Sequence, residues 1–251
     1  MLPGTASLGA VTVSLVTGAN GLLGQSIAQS LIDASPDTQV WLGVRERRER
    51  ADSFVLAHPD RCRCIPLDVT DPIAWRRAVA EIEGVAGRVD ILVNNAGHAE
   101  DGLLATMPPE AWSRVVSVNL DAVFHGCQSV LPGMISRRFG RIINLSSLSA
   151  LLAPAGQANY AAAKAGVVGL TQSLAKEVAR LGITVNAVCP GYIDTEALEG
   201  MSPEKRQAAL GSIPMRRLGR PEEVGAVVRF LASREASYVT GSTIKVDGGI
   251  L

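Results

Sequence analysis

The chain has 251 residues, 47% of them hydrophobic, enough for one well-buried core. Lysine plus arginine and aspartate plus glutamate number 24 each, so the formal net charge is zero and the basic surface that nucleic acid requires is not supplied. No apolar run reaches 18 residues, which excludes a membrane-crossing helix. Met1 to Ala10 has neither a charged n-region nor a cleavage-type signal, and is expected to be a short loose tail.

The first β-rich run is Val11–Val16, followed by a Gly-rich turn and a helical pattern over Gly21–Ala34. Further apolar runs, read as strands, are Gln39–Val44, Cys62–Leu67, Val89–Asn94, Arg141–Ser146, Ile183–Val188 and Thr243–Val246. Helical periodicity fills 71–86, 109–137, 158–181 and 221–233. Strands alternating with helices predict an α/β fold with a doubly wound parallel sheet of about seven strands and helices on both faces. No linker, repeat or low-complexity segment divides residues 11–251, so they are read as a single domain. Residues 191–220, with scattered Gly and Pro, are expected to form a mobile substrate flap. Leu198, Met201, Ile213 and Met215 would give it an apolar wall.

Cys62, Cys64, Cys127 and Cys189 are scattered, with no Cys-x-x-Cys pair, as in a reduced cytoplasmic protein. His58 lies near Cys62 and Cys64, but the spacing matches no common zinc pattern, and no metal is expected.

Thr17-Gly18-Ala19-Asn20-Gly21-Leu22-Leu23-Gly24 joins the first strand to the first helix. Glycines at that junction let a backbone approach a pyrophosphate resting on the helix N-terminus, although an ordinary tight turn uses them too. The second strand ends at Val44-Arg45, where an acid would bind a free ribose 2′-hydroxyl. Arg45, with Arg47 and Arg48 nearby, suits a 2′-phosphate and favours NADP(H) over NAD(H). The competing reading is a solvated charged helix start, since Glu46 and Glu49 are interleaved. Asp68-Val69 closes the third strand, where the carboxylate could meet an adenine or cap a helix with Thr70 and Asp71. Asn94-Asn95-Ala96-Gly97 closes the fourth, suiting both close passage of a cofactor and a strand-ending turn.

Tyr160 and Lys164 share one helix face at i,i+4. An ammonium there can lower a phenol's pKa so that it passes protons near neutral pH, although such a pair is more often simply a surface pair. Ser146, Ser147 and Ser149 lie upstream, and composition does not choose among them.

Taken together, these motifs resemble the short-chain dehydrogenase/reductases. The matching residues are Thr17-Gly18 with its turn, Asn94 to Gly97, Asn119 in Ser-Val-Asn-Leu, Ser147, Tyr160-x-x-x-Lys164 and Pro190-Gly191. The chain is most similar to 3-oxoacyl-[acyl-carrier-protein] reductases, through Gly156–Gly166, Gly182–Asn186, Arg217–Glu223, Val239–Gly241 and Val246–Gly249. The resemblance implies a Rossmann fold, a homotetramer built on the long helices and the last strand, and the reduction of a ketone. Tyr160 would be the proton donor in reduction and the base in oxidation. Lys164 would hold the nicotinamide ribose and lower the Tyr160 pKa. Ser147 would hydrogen-bond the carbonyl, and Asn119 would anchor a water linking Lys164 to solvent. Ile193 and Thr195 match positions that meet the nicotinamide, and Thr195 can equally cap the next short helix.

Two features depart from the family pattern. Leu22 replaces the turn's middle glycine, which sits one residue earlier at Gly21, where many NADP(H)-using members carry Arg or Lys. An acyl-carrier protein is acidic, and Arg137, Arg138, Arg141, Lys176 and Arg180 could form a patch for it, or simply complement helix ends. Glu100 and Asp101 would oppose such a partner. The expected substrate is therefore a carbonyl compound, a 3-oxoacyl group on carrier protein or coenzyme A first. The alternatives are an alcohol or sugar dehydrogenase, or a dinucleotide-binding protein without turnover.

Overall fold

The inner strands of the sheet are buried on both faces, as parallel strands sandwiched between helices must be, and the two edge strands only in part. In the computed structural model, which describes residues 11–198 and 201–251, the strands are β1 (Thr12–Thr17), β2 (Thr38–Val44), β3 (Cys62–Pro66), β4 (Ile91–Asn94), β5 (Gly140–Leu145), β6 (Ile183–Pro190) and β7 (Thr243–Val246). They pair in the order β3-β2-β1-β4-β5-β6-β7, every pair parallel. The expected tail, Met1 to Ala10, lies outside the described residues.

Alternation along each strand feeds two cores. Val13, Leu15, Trp41, Leu92 and Ile142 point to one face and pack with α3 (Pro72–Ala86), α5 (Ala122–Arg137) and α7 (Ala158–Val178). Val16, Leu42, Val93 and Ile143 point to the other, against α1 (Leu22–Ile32) and α9 (Pro221–Ala232). The strand order reverses between β1 and β4, so their C-terminal ends open a crevice of the kind that receives a nucleotide in such sheets.

The pattern read as one helix over 109–137 is α4 (Pro109–Val116), a π-helical segment at Ser117–Asp121 and α5. There the Ala122 amide reaches back to Ser117 O, and the widened turn brings Asn119 into full burial. The charged stretch after β2 forms α2 (Glu49–Ala57), which buries only Ala51 and so carries little apolar periodicity. A short α6 (Ser149–Leu152) follows β5.

The expected flap, 191–220, carries regular structure among its described residues. It contains α8 (Pro203–Ser212), capped by Ser202, and is anchored by buried Ile193, Ala209 and Ile213. Ile193 bridges to Gly219, and Ile213 packs over Gly248. Of the four residues expected as an apolar wall, Ile213 is thus spent on the core, and Met215 is exposed.

Two glycines make the β1–α1 turn possible. Gly18 has φ +63°, and a Cβ there would lie 2.8 Å from Ala96 Cα; one at Gly24 would lie 2.5 Å from Gly18 O. Gly21 has φ −78°, and a Cβ would meet only Gly18 O at 3.7 Å. Gly18→Ala is therefore expected to cost about 2 kcal/mol or more in urea denaturation. Gly21→Ala should stay within about 0.5 kcal/mol of the wild type.

Candidate active site

The crevice is stitched by hydrogen bonds between the ends of β1 and β4. The Thr17 hydroxyl accepts from the Asn95 and Ala96 amides, both at 3.0 Å. The Asn95 side chain donates to Thr17 O (2.9 Å) and Gly18 O (3.3 Å), so it pins the glycine turn from behind. Asn20 turns away from the crevice: its Oδ1 accepts from the Arg50 and Ala51 amides at 3.0 and 3.1 Å and holds the start of α2. The Leu22 amide, first in α1, faces an anion, the Glu196 carboxylate, at 3.2 and 3.3 Å, and Arg50 pairs with the same carboxylate. Leu23 is half-buried and packs on the α1–α9 core.

Arg45 is exposed, 3.9 Å from Asp68. Asp68 Oδ1 accepts from the Thr70 amide (2.9 Å) and hydroxyl (2.7 Å), while the cap of α3 itself is Asp71. Burial would raise the Asp68 carboxyl, but the Thr70 bonds and the Arg45 guanidinium outweigh it and hold it below the usual range. Val69 places its side chain against the core and its carbonyl on the Trp75 indole.

The catalytic candidates converge at the C-terminal ends of β4 and β5. Buried residues at four-residue spacing, Asn159, Ala163, Val167 and Thr171, seat α7 on the sheet. This packing carries Lys164 inward, where Nζ donates to Leu145 O at 2.8 Å. Burial pushes the Lys164 ammonium down to about 8. Its Nζ lies 5.7 Å from the Tyr160 ring centroid, against the ring. The three serines separate by their partners. Ser146 is buried and donates to Lys164 O (2.8 Å), and Ser149 donates to Gln157 Oε1 (2.9 Å). Ser147 accepts from the Ser149 amide (3.1 Å) and presents its hydroxyl to Tyr160.

The expected lowering of the phenol by the ammonium is reversed in this structure. Burial raises the Tyr160 phenol above its ordinary value, against the opposing pull of Ser147, and the Asp101 carboxylate adds to the rise. In the free protein Lys164 is turned toward Leu145 O, and burial draws its ammonium toward the neutral amine.

Asn119 is fully buried and spends its amide on the loop after β4. Nδ2 donates to His98 O (2.6 Å) and Val115 O (2.8 Å), and Oδ1 accepts from His98 N (3.3 Å). A Cβ at Gly97 would lie 3.1 Å from Asn119 Oδ1 and 3.7 Å from Lys164 Nζ, so only glycine leaves that approach open. On the far side, Pro190 O accepts from Leu148 N (2.9 Å) and Gly191 N donates to Val246 O (3.0 Å). Ile193 is buried, and the Thr195 hydroxyl donates to Ile193 O (3.4 Å) rather than capping the 196–198 turn.

A family model described as "Enoyl-(Acyl carrier protein) reductase" matches residues 18–251. The chain is 44% identical to a 3-oxoacyl-[acyl-carrier-protein] reductase of Vibrio cholerae over 95% of its length and 96% of that protein's. It is 43% identical to nodulation protein G of Azospirillum brasilense, over 95% and 97%. A solved structure from Agrobacterium tumefaciens, put forward as a gluconate dehydrogenase, superposes with TM-score 0.91 at 32% identity over 95% of each chain.

The chain belongs to the short-chain dehydrogenase/reductase family.

As a member it is an oxidoreductase, and the family implies a nicotinamide dinucleotide cofactor. The crevice fits such a group on its own evidence: the Leu22 amide at the start of α1 already holds an anion, the Glu196 carboxylate.

The arginine patch expected beside the cleft is elsewhere. Arg137, Arg138 and Arg141 flank the start of β5, roughly 17 Å along the strand from its catalytic end. Arg141 is buried, its guanidinium donating to Gly140, Gly182 and Ser233 carbonyls; Arg138 donates to Arg180 O, and Arg137 to Val89 O. Glu100 is held by Arg114 through bonds of 2.9 to 3.2 Å, which keep its carboxyl below the usual range, and Asp101 by Gln157 at 3.0 and 3.2 Å. Sequence reasoning missed Asn159, Gln157, Arg50 and Glu196. Asn159, whose Nδ2 donates to Glu100 O (2.9 Å), and Gln157 join the 98–102 loop to α7. Their signal, two amides just before Tyr160, was on the chain; the Glu196–Arg50 contact had none.

The depressed Lys164 pKa gives a stability test. Between pH 8 and 10.5 the unfolded chain keeps a proton that the folded one has lost, so this group's penalty is full below pH 8 and fades above it. Lys164→Met removes that penalty at every pH. The variant's stability relative to wild type should fall by about 2–3 kcal/mol between pH 7 and pH 10, read by urea denaturation at each.

Proposed function

We propose that this protein reduces a ketone, a 3-oxoacyl thioester first, to the secondary alcohol with NADPH. The observation that carries this reading is Tyr160 facing Ser147 at the mouth of the glycine-lined crevice, its phenol shifted by burial further toward the protonated form. A protonated phenol beside a hydroxyl donor suits the reductive direction. Bound there, the reduced nicotinamide supplies the hydride to the carbonyl carbon. Ser147 donates to the carbonyl oxygen as negative charge builds on it. Tyr160 gives its proton to that oxygen, which completes the alcohol. Lys164, whose ammonium lies against the ring, stabilises the phenolate left behind and holds ribose hydroxyls. Asn119 keeps the 97–98 backbone in place beside Lys164. The remaining cofactor ligands are Gly18, Gly21, Leu22, Leu23, Asp68, Val69, Asn95, Ala96, Gly97, Pro190, Gly191, Ile193 and Thr195; Asn20 serves through α2.

Arg45 is the basis for preferring NADPH over NADH, since its guanidinium is exposed at the end of β2 with only long contacts, to Glu46 (3.7 Å) and Asp68 (3.9 Å). One domain spans residues 11–251, with 191–220 closing over the substrate. The edge position of β7 and exposed Trp112 and Phe124 on α4 and α5 support the homotetramer. No helix among the described residues is long and apolar enough to cross a membrane, and all four cysteines carry free thiols, in keeping with a cytoplasmic enzyme. The second reading is a dehydrogenase of hydroxyl-rich small molecules. It is favoured by Glu100 and Asp101 at the mouth and by the absence of Arg137, Arg138 and Arg141 from it.

NADPH consumption at 340 nm with acetoacetyl thioester should exceed that with sugars and simple alcohols in the reverse assay with NADP; the opposite order selects the second reading. Tyr160→Phe should lower kcat by about 100-fold or more while the NADPH Kd stays within about threefold. Substantial turnover in that variant removes Tyr160 from its role. Arg45→Ala should weaken NADPH about tenfold and NADH less than about twofold, measured as Kd by calorimetry.

A further inference from the structure

Glu196 lies on the 3-10 turn Glu196–Leu198, beyond Pro190-Gly191, yet its carboxylate sits on the first amide of α1. Its second partner is Arg50, on the first turn of α2, whose own amide is fixed by Asn20 Oδ1 at 3.0 Å. Three segments far apart in the chain therefore meet on one carboxylate. The partial positive charge of an 11-residue helix and one guanidinium surround it, which is the electrostatics of a phosphate seat.

We propose that Glu196 is an internal anion occupying the cofactor's pyrophosphate seat in the free protein, and that Arg50 is a pyrophosphate ligand held in readiness by it. The inference rests on the dinucleotide reading above. A pyrophosphate carries more charge than one carboxylate and competes for the same Leu22 amide, so the two cannot occupy the seat together. Cofactor entry exchanges Glu196 for phosphate, leaves Arg50 paired, and unties the 3-10 turn from α1. Apparent cofactor affinity is then the intrinsic affinity reduced by the fraction of molecules with the latch open.

The test compares wild type, Glu196→Gln, and Arg50→Ala built in the Glu196→Gln background, so that removing Arg50 does not also loosen the latch. Dissociation constants for NADPH and NADH are measured by calorimetry, and Tm with and without saturating cofactor. Glu196→Gln should tighten both cofactors at least about threefold. It should lower Tm in the free protein and leave the saturated Tm unchanged. Adding Arg50→Ala should weaken NADPH and NADH by the same factor, about fivefold or more. Equal Kd values for wild type and Glu196→Gln, both binding, overturn the latch and leave the dinucleotide reading intact. Binding of neither cofactor by wild type and by Glu196→Gln overturns that reading itself. An Arg50→Ala loss confined to NADPH shows a 2′-phosphate contact and overturns the pyrophosphate assignment. Tighter binding with no fall in the free protein's Tm shows a long-range charge effect and overturns the seat.

Discussion

Lysine 164 is a buried ammonium, and the geometry of the site follows from how it is satisfied. Removing such a charge from water costs several kcal/mol unless hydrogen bonds replace the lost solvent. Here Nζ donates to Leu145 O, while the residue's own carbonyl accepts from Ser146. One residue thus staples α7 to the end of β5 from both its ends. Ser147 follows directly on that strand end and Tyr160 lies one helical turn before Lys164, so the staple sets their distance from each other. A surface lysine at i,i+4 from a tyrosine could not do this, because solvent would satisfy it in many positions.

The second stitch, at the β1–β4 seam, is neutral and does a different job. Asn95 donates to the Thr17 hydroxyl and carbonyl, and Ala96 to the same hydroxyl, across the point where the sheet order reverses. Each would otherwise be a polar group shut between strands. Paired, they hold the glycine turn against Ala96 at a separation only a missing Cβ allows. Farther in, Asn94 donates to Asn144 and Asn144 to Thr171, carrying the same polar pairing from β4 through β5 to α7. That buried polar chain lies between the two stitches and, like the first, ends on α7.

The elements most legible in the sequence are those with apolar periodicity. The last strand, Thr243–Val246, has the limits its pattern predicts, and the other strands differ by one or two residues at most ends. Helix α2 was missed because it buries Ala51 alone, and α8 because its burial is confined to Ala209. The π-helical turn was hidden for another reason: inserting one widened turn leaves the surrounding pattern intact and changes only where Asn119 points. In the site, residue types and order were readable, but charge environments were not. The ammonium was expected to act on the phenol; burial acts on both, in opposite directions.

That opposition bears on the direction of the chemistry. A desolvated pocket makes neutral forms cheaper, so it favours a phenol over a phenolate and an amine over an ammonium. In the free protein both groups lie nearer their neutral forms than in water. In the reduction proposed above, charge building on the substrate oxygen would reverse the balance, because an alkoxide is a far stronger base than a phenolate. Tyr160 would then give up its proton downhill, and its phenolate would gain the neighbouring ammonium as a partner in a medium that strengthens the pair. On that proposal, the same desolvation that makes the resting site reluctant to ionise would favour the ion pair formed during reduction, and oxidation would have to create the phenolate against that resistance.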